Sequence, residues 1–124
     1  MNIAMIGSGA FAIAESVYMC RKGNVRIFQT EPVNTHTVNA TQKFGVYDED
    51  IKIYNNLQDV IKDANIIFIN IDVAYDIELN SYDMQAFEIY TNKIMQYSPN
   101  TPIVIRSQIP IGYTRRLIQR YPQL

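Results

Sequence analysis

Two rhythms of apolar and polar residues run along this chain. Ile3-Ala4-Met5-Ile6 is an unbroken apolar run of strand length that stops at Gly7. From Ala10 the spacing turns helical, with Ile13, Val17 and Cys20 in phase and Gly23 where a C-cap would sit. A second strand is expected at Val25–Gln29, directly after the Gly23-Asn24 turn. Thr30 to Val46 is polar and weakly periodic, and reads as a loop with one irregular helix. Ile51–Tyr54 alternates as a short strand does. Asn56 can cap a brief helix over Leu57–Asp63 with Leu57, Val60 and Ile61 inward. Ile66–Ile69 is wholly apolar, which suits a central parallel strand buried on both faces. Asp72 to Ser81 reads as a polar loop. Asn80 or Ser81 is then the expected cap of a helix reaching about Tyr97, with Met84, Phe87, Tyr90 and Ile94 in one stripe. Ile103–Ile105 is a further buried strand, and Gly112 opens a last helix containing Leu117 and Ile118.

Strands alternating with helices predict an α/β fold, a three-layer αβα arrangement around a doubly wound parallel sheet of order 3-2-1-4-5. In such sheets ligands bind where the order reverses, beyond the C-terminal ends of strands 1 and 4. That rule brings Gly7–Phe11 and Asn70–Val73 to one crevice. The first crevice segment reads G-x-G-x-x-A over Gly7, Ser8, Gly9, Ala10, Phe11 and Ala12. Gly7 permits the tight turn, Gly9 lets backbone approach a pyrophosphate, and Ala12 keeps helix and strand close. The helix N-terminus adds free N–H groups and partial positive charge. Together they predict a Rossmann-type dinucleotide site.

Composition narrows the partners. The 124 residues suit one domain over 1–124. The formal charge of −1 comes with no basic block, so neither nucleic acid nor an anionic membrane surface is expected. A single cysteine excludes an internal disulfide and fits a reducing compartment. No signal-like segment or membrane-length apolar run is visible, and a cytoplasmic domain is expected. Cys20 is expected to pack in the helix–sheet core as an inert thiol. His36, the only histidine, reads as an exposed loop residue. Asp48-Glu49-Asp50 reads as a solvated turn rather than a metal site. Tyr82, Tyr90 and Tyr97 read as helix-face packing. Arg115 and Arg116 read as solvated surface, although they stand near a helix start where an anion could meet them.

Three stretches resemble the N-terminal part of the UDP-glucose/GDP-mannose dehydrogenase family. Asn2–Gly23 is similar to the family's K-I-A-V-I-G-x-G-Y-V-G-L and its following helix. Asn80–Glu88 is similar to N-Y-F-D-T-x-x-V-E. Ile103–Thr114 is similar to I-I-K-S-T-I-P-x-G-[FY]-T, the most specific match, with Ser107, Pro110, Gly112 and Thr114 at the family's spacing. The resemblance implies NAD binding in a two-step oxidation of a nucleotide sugar's C6 alcohol to a carboxylate. It implies that Gly7, Ser8, Gly9, Ala10 and Phe11 wrap the pyrophosphate, with Ser107 near the ribose or nicotinamide end.

Three positions depart from that pattern. Gln29 stands where the family carries an acid for the adenosine ribose, with Glu31 as a possible substitute acceptor two residues on. Ile71-Asp72 replaces a Thr-Pro pair, and Gln108 replaces the Thr of S-T-I-P. A hydrogen bond involving a charged group contributes about 1.5–3 kcal/mol and a neutral one about 1 kcal/mol. Losing a few kcal/mol in total weakens binding by about two orders of magnitude. Weak NAD affinity is therefore expected. The family's nucleophilic Cys and its Glu, Lys and Asn catalytic positions have no counterpart here, so this chain alone is expected not to oxidise a nucleotide sugar. Two readings remain open: the NAD-binding domain of such an oxidoreductase, or a stand-alone nucleotide-binding or interaction module without catalysis. A missing substrate domain, or self-association through an open sheet edge at Ile103–Ser107, is the expected protein partner.

Overall fold

The computed structural model describes residues 1–30 and 51–122. Its elements in chain order are β1 (Asn2–Ile6), α1 (Ala10–Met19), β2 (Asn24–Phe28), β3 (Ile51–Tyr54), α2 (Leu57–Ile61) and β4 (Ile66–Ile69). They continue with β5 (Tyr75–Asp76), β6 (Ser81–Tyr82), α3 (Gln85–Tyr97), β7 (Ile103–Ile105) and α4 (Tyr113–Arg120). Five strands form one sheet in the order β3-β2-β1-β4-β7, every pair parallel. With β5 and β6 set aside as a separate antiparallel pair, this is the expected 3-2-1-4-5 arrangement. Met5 in the central strand pairs with Ile27 on one side and Phe68 on the other.

Side chains of a strand alternate between faces, so each run divides into two cores. Ile3, Met5, Val25, Ile27 and Phe68 pack against Ala12 and Ile13 of α1. Ala4, Ile6, Phe28, Ile67 and Ile69 pack against Leu57, Val60, Phe87, Ile94 and Leu117 from α2, α3 and α4. Because both faces are covered, β1 and β4 carry no polar alternation. Cys20 is half-buried beside the α1-side core, as expected, and its Sγ donates to the Val17 carbonyl.

Local chemistry explains the boundaries, including those the pattern misplaced. Asn56 caps α2 as expected, its Oδ1 accepting from the Gln58 N–H at 2.9 Å. The helix stops at Ile61 because Lys62 leaves helical geometry with ψ 126°, and Asp63 then takes a left-handed φ of 57°. α1 ends at Met19 with Cys20 as its C-cap, so Gly23 is not its cap; it lies in the turn that leads to Asn24, whose N–H donates to the Met1 carbonyl. The expected loop 72–81 contains the small β5–β6 pair, with Tyr75 and Tyr82 edge to face at 5.1 Å. Asn80, at φ 51°, makes the turn of that pair instead of capping a helix. The first free N–H of α3, that of Gln85, is met by Asp83 Oδ1 at 3.1 Å. Tyr82 consequently sits on β6 rather than on a helix face, while Tyr90 packs edge to face on Phe28.

Tyr113 opens α4 and gives a first testable outcome. Its ring meets Phe87 at 5.6 Å, and its hydroxyl donates to Glu88 Oε1 at 3.0 Å. Burial first, and the Glu88 hydrogen bond and charge next, push its pKa from 10.0 up to about 12. The folded state therefore holds this proton more tightly than the unfolded chain. The associated stability is complete below pH 10 and is lost as pH rises toward 12. Urea melts across that window should show a steeper decline for the native chain than for Tyr113→Phe.

Candidate functional site

The turn after β1 is built around one close approach. Gly7 has φ 137°, and a Cβ there would lie 2.1 Å from the Asn70 carbonyl oxygen just beyond β4. The two central strand ends are thus in contact at the point where the sheet order reverses. The Gly7 N–H donates to the Phe28 carbonyl at the end of β2. Ser8 is buried and forms a reciprocal pair with Thr30. Its N–H donates to Thr30 Oγ1 at 3.2 Å, and its Oγ accepts the Thr30 N–H at 3.1 Å. Gly9 is extended at the N-cap of α1, where no side chain caps the helix and no acid occupies the first turn. Among the described residues, the first-turn amides and the positive end of the helix dipole therefore meet no capping side chain and no first-turn acid.

Beside this turn, between α1 and the C-terminal ends of β4 and β7, lies a cleft of 840 Å³. Phe11, Asp72, Ser107 and Gln108, all expected from the sequence, line it. Gly7, Ser8, Gly9 and Ala10 do not line it, and neither does Gln29, which is half-buried just after β2, its N–H donating to the Tyr54 carbonyl. The floor is apolar, with Phe68 from β4 and Val104 from β7. Ser107 is committed to the scaffold. Its Oγ accepts from the Ile71 N–H at 2.8 Å and reaches the Ile69 carbonyl at 3.4 Å, tying the end of β7 to the end of β4.

Sequence reasoning did not single out the polar centre of the cleft. Glu15, one turn into α1 beyond Phe11, has a side chain only 13% exposed. Its carboxylate accepts from Asn70 Nδ2 at 2.8 Å and from Arg106 Nε at 3.3 Å, with an ion-pair distance to Arg106 Nε of 3.1 Å. These residues come from α1 and from the segments just past β4 and β7, and only the folded topology brings them together. The helical spacing that put Ile13 and Val17 inward could have flagged Glu15, because an acid beside a buried stripe needs a partner.

Arg115 and Arg116 are exposed, as expected, with Arg116 5.6 Å from the Tyr113 ring. Glu31, His36 and Asp48-Glu49-Asp50 lie outside the described residues. Among the described residues no three metal-ligating side chains cluster, and no helix is long and apolar enough to cross a membrane.

No protein-family model matches the chain. It is 28% identical over 132 residues to UDP-glucose 6-dehydrogenase of Streptococcus pneumoniae, a match covering 98% of this chain and 33% of that protein. Among solved structures it is similar to a GDP-mannose dehydrogenase of Pseudomonas aeruginosa captured in a ternary complex. That TM-score is 0.73 at 14% identity, covering 95% of this chain and 31% of the other. An imine reductase of Myxococcus stipitatus in complex with NAD+ follows at a TM-score of 0.65 and 11% identity, covering 97% of this chain and 37% of the reductase. The chain thus spans about a third of the length of the curated relatives it matches. In sequence it is similar to about a third of two UDP-glucose 6-dehydrogenases, and in fold to about a third of a GDP-mannose dehydrogenase and a UDP-glucose dehydrogenase.

Proposed function

We propose that this chain is the NAD-binding domain of a UDP-glucose 6-dehydrogenase-like oxidoreductase. The carrying observation is the turn Gly7-Ser8-Gly9-Ala10-Phe11 at the switch in strand order, with Gly7 pressed against Asn70 just beyond β4 and Phe11 lining the 840 Å³ cleft. A helix N-terminus with no capping side chain and no first-turn acid suits a pyrophosphate. Gly7 serves the shape of the turn itself, because a side chain there would collide with the Asn70 backbone. Gln29 at the end of β2 would meet the adenosine half, and Asp72 and Gln108 in the cleft would face the nicotinamide half. Bound NAD would supply a hydride acceptor there. Residues 1–124 act as one cofactor-binding domain, and the nucleophile and substrate contacts belong to a partner domain equivalent to the relatives' remaining two-thirds. The half-buried lone cysteine suits a reducing cytoplasm. The outer side of β7, at the end of the five-stranded sheet, is where a further strand or a second copy would pair.

A second reading, a nucleotide-binding or interaction module without catalysis, draws on two observations. The Ser8 N–H is met by Thr30 and the Ser107 hydroxyl by Ile71, so both polar groups serve the scaffold. Calorimetry with NAD, NADH and UDP-glucose separates the readings. Saturable NAD binding with a Kd below about a millimolar is expected for the first. Silence from all three ligands would leave the second.

A further inference from the structure

We infer that Arg106 is an anion-recognising residue of the cleft, and that it binds the phosphate on the nicotinamide side of the dinucleotide. This rests on the dinucleotide reading above, but its chemistry can be tested separately.

Arg106 follows β7 directly, and its backbone N–H donates to the Ile69 carbonyl at 2.8 Å. The base of the side chain is therefore fixed to the neighbouring strand. Its Nε is held by both oxygens of Glu15, at 3.1 and 3.3 Å. Glu15 is in turn fixed by Asn70, itself only 7% exposed. The guanidinium is thus anchored at one edge by a largely buried carboxylate, while the side chain remains 59% exposed beside the cleft. Among the described residues its two terminal nitrogens have no partner. A planar fork with one edge engaged and its outer donors open is suited to a tetrahedral anion. An exposed ion pair needed only for stability contributes little, so that role does not account for an acid buried this deeply. Phe11 and Arg106 line the same cleft. A diphosphate seated on the α1 amides would therefore direct its second phosphate toward the guanidinium. AMP, whose single phosphate stays on the adenosine side, would not reach it.

The test uses the chain as it stands, with two readouts. Inorganic pyrophosphate is titrated while the Arg106 Nε–H resonance is followed by NMR, and a saturable shift is expected. Binding of NAD, ADP-ribose and AMP is then compared in the native chain and in Arg106→Gln, which at this exposure should fold normally. The variant should bind NAD and ADP-ribose roughly tenfold more weakly and AMP unchanged. Equal NAD affinity in both proteins, with the resonance unmoved, overturns the assignment and leaves the dinucleotide reading intact. An equal loss for AMP also overturns it, because the effect is then general charge. A saturable resonance shift without NAD binding supports the anion site and removes the dinucleotide reading. Absence of both sinks both.

Discussion

Gly7→Ala is expected to cost more than about 4 kcal/mol of folding stability, a large part of the 5–15 kcal/mol typical of a small domain. Two independent penalties add. At φ 137° an L side chain is strained, which costs about 1–3 kcal/mol. The new Cβ would also lie 2.1 Å from a backbone oxygen and 2.8 Å from its carbon, both on Asn70. Those atoms cannot swing aside like the end of a lysine. They belong to the segment leaving β4, whose amide is bonded to Ile6, so relief requires β1 and β4 to part at the centre of the sheet. Gly112→Ala is the control. It also has positive φ, 83°, but nothing lies within 4 Å of its would-be Cβ, so only the conformational cost of about 1–2 kcal/mol applies. Urea denaturation of both variants should give clearly different midpoints. Equal and small shifts would mean that the strand ends are not in contact as described.

Phe87→Ala should be the second large loss, about 3–5 kcal/mol. The ring has 0% exposure and stands edge to face with Tyr113, at an interplanar angle of 84°. It packs in the core between α3, α4 and the sheet. Truncation removes apolar burial and leaves a cavity that neighbouring rings and strands cannot close. Ile89→Ala, two residues along the same helix and 46% exposed, should stay within about 0.5 kcal/mol. The position of Phe87 adds a functional contrast. It lies in the core on the face opposite α1, away from the cleft, so under conditions where Phe87→Ala remains folded it should keep the native ligand affinity. Gly7→Ala should lose it, because its own backbone forms the turn. Thermal melts with and without NAD distinguish the two.

The central strands and the first helix were legible because their signals are local and dense. Ile3–Ile6 and Ile66–Ile69 have few structural alternatives once chain length forces one buried core, and the change of rhythm at Ala10 marks the crossover. The β5–β6 pair was not legible. Each strand has two residues, too few for a period, and it is held by one tyrosine pair and a turn at Asn80. That turn moved the helix start past Asn80 and Ser81 to an N-cap at Met84, and Asp83 accepts the first helical amide in their place. The same division holds at the candidate site. The glycine turn is contiguous and could be read directly. Glu15 and Arg106 are 91 positions apart, and nothing near either announces the other. By resemblance Ser107 is a cofactor contact; its hydroxyl also accepts from the Ile71 amide just beyond the adjacent strand, a partner that no short window of sequence contains.

The mutual clasp of Ser8 and Thr30 bears on how tightly anything can be held at the mouth of the sheet. A glycine-containing bend left loose would have to surrender its mobility each time a guest arrived, and that surrender would be subtracted from the binding energy. Here most of the ordering is completed as the chain folds. Severing the clasp would therefore be felt first as an entropic handicap to the guest, before any contact with it was lost.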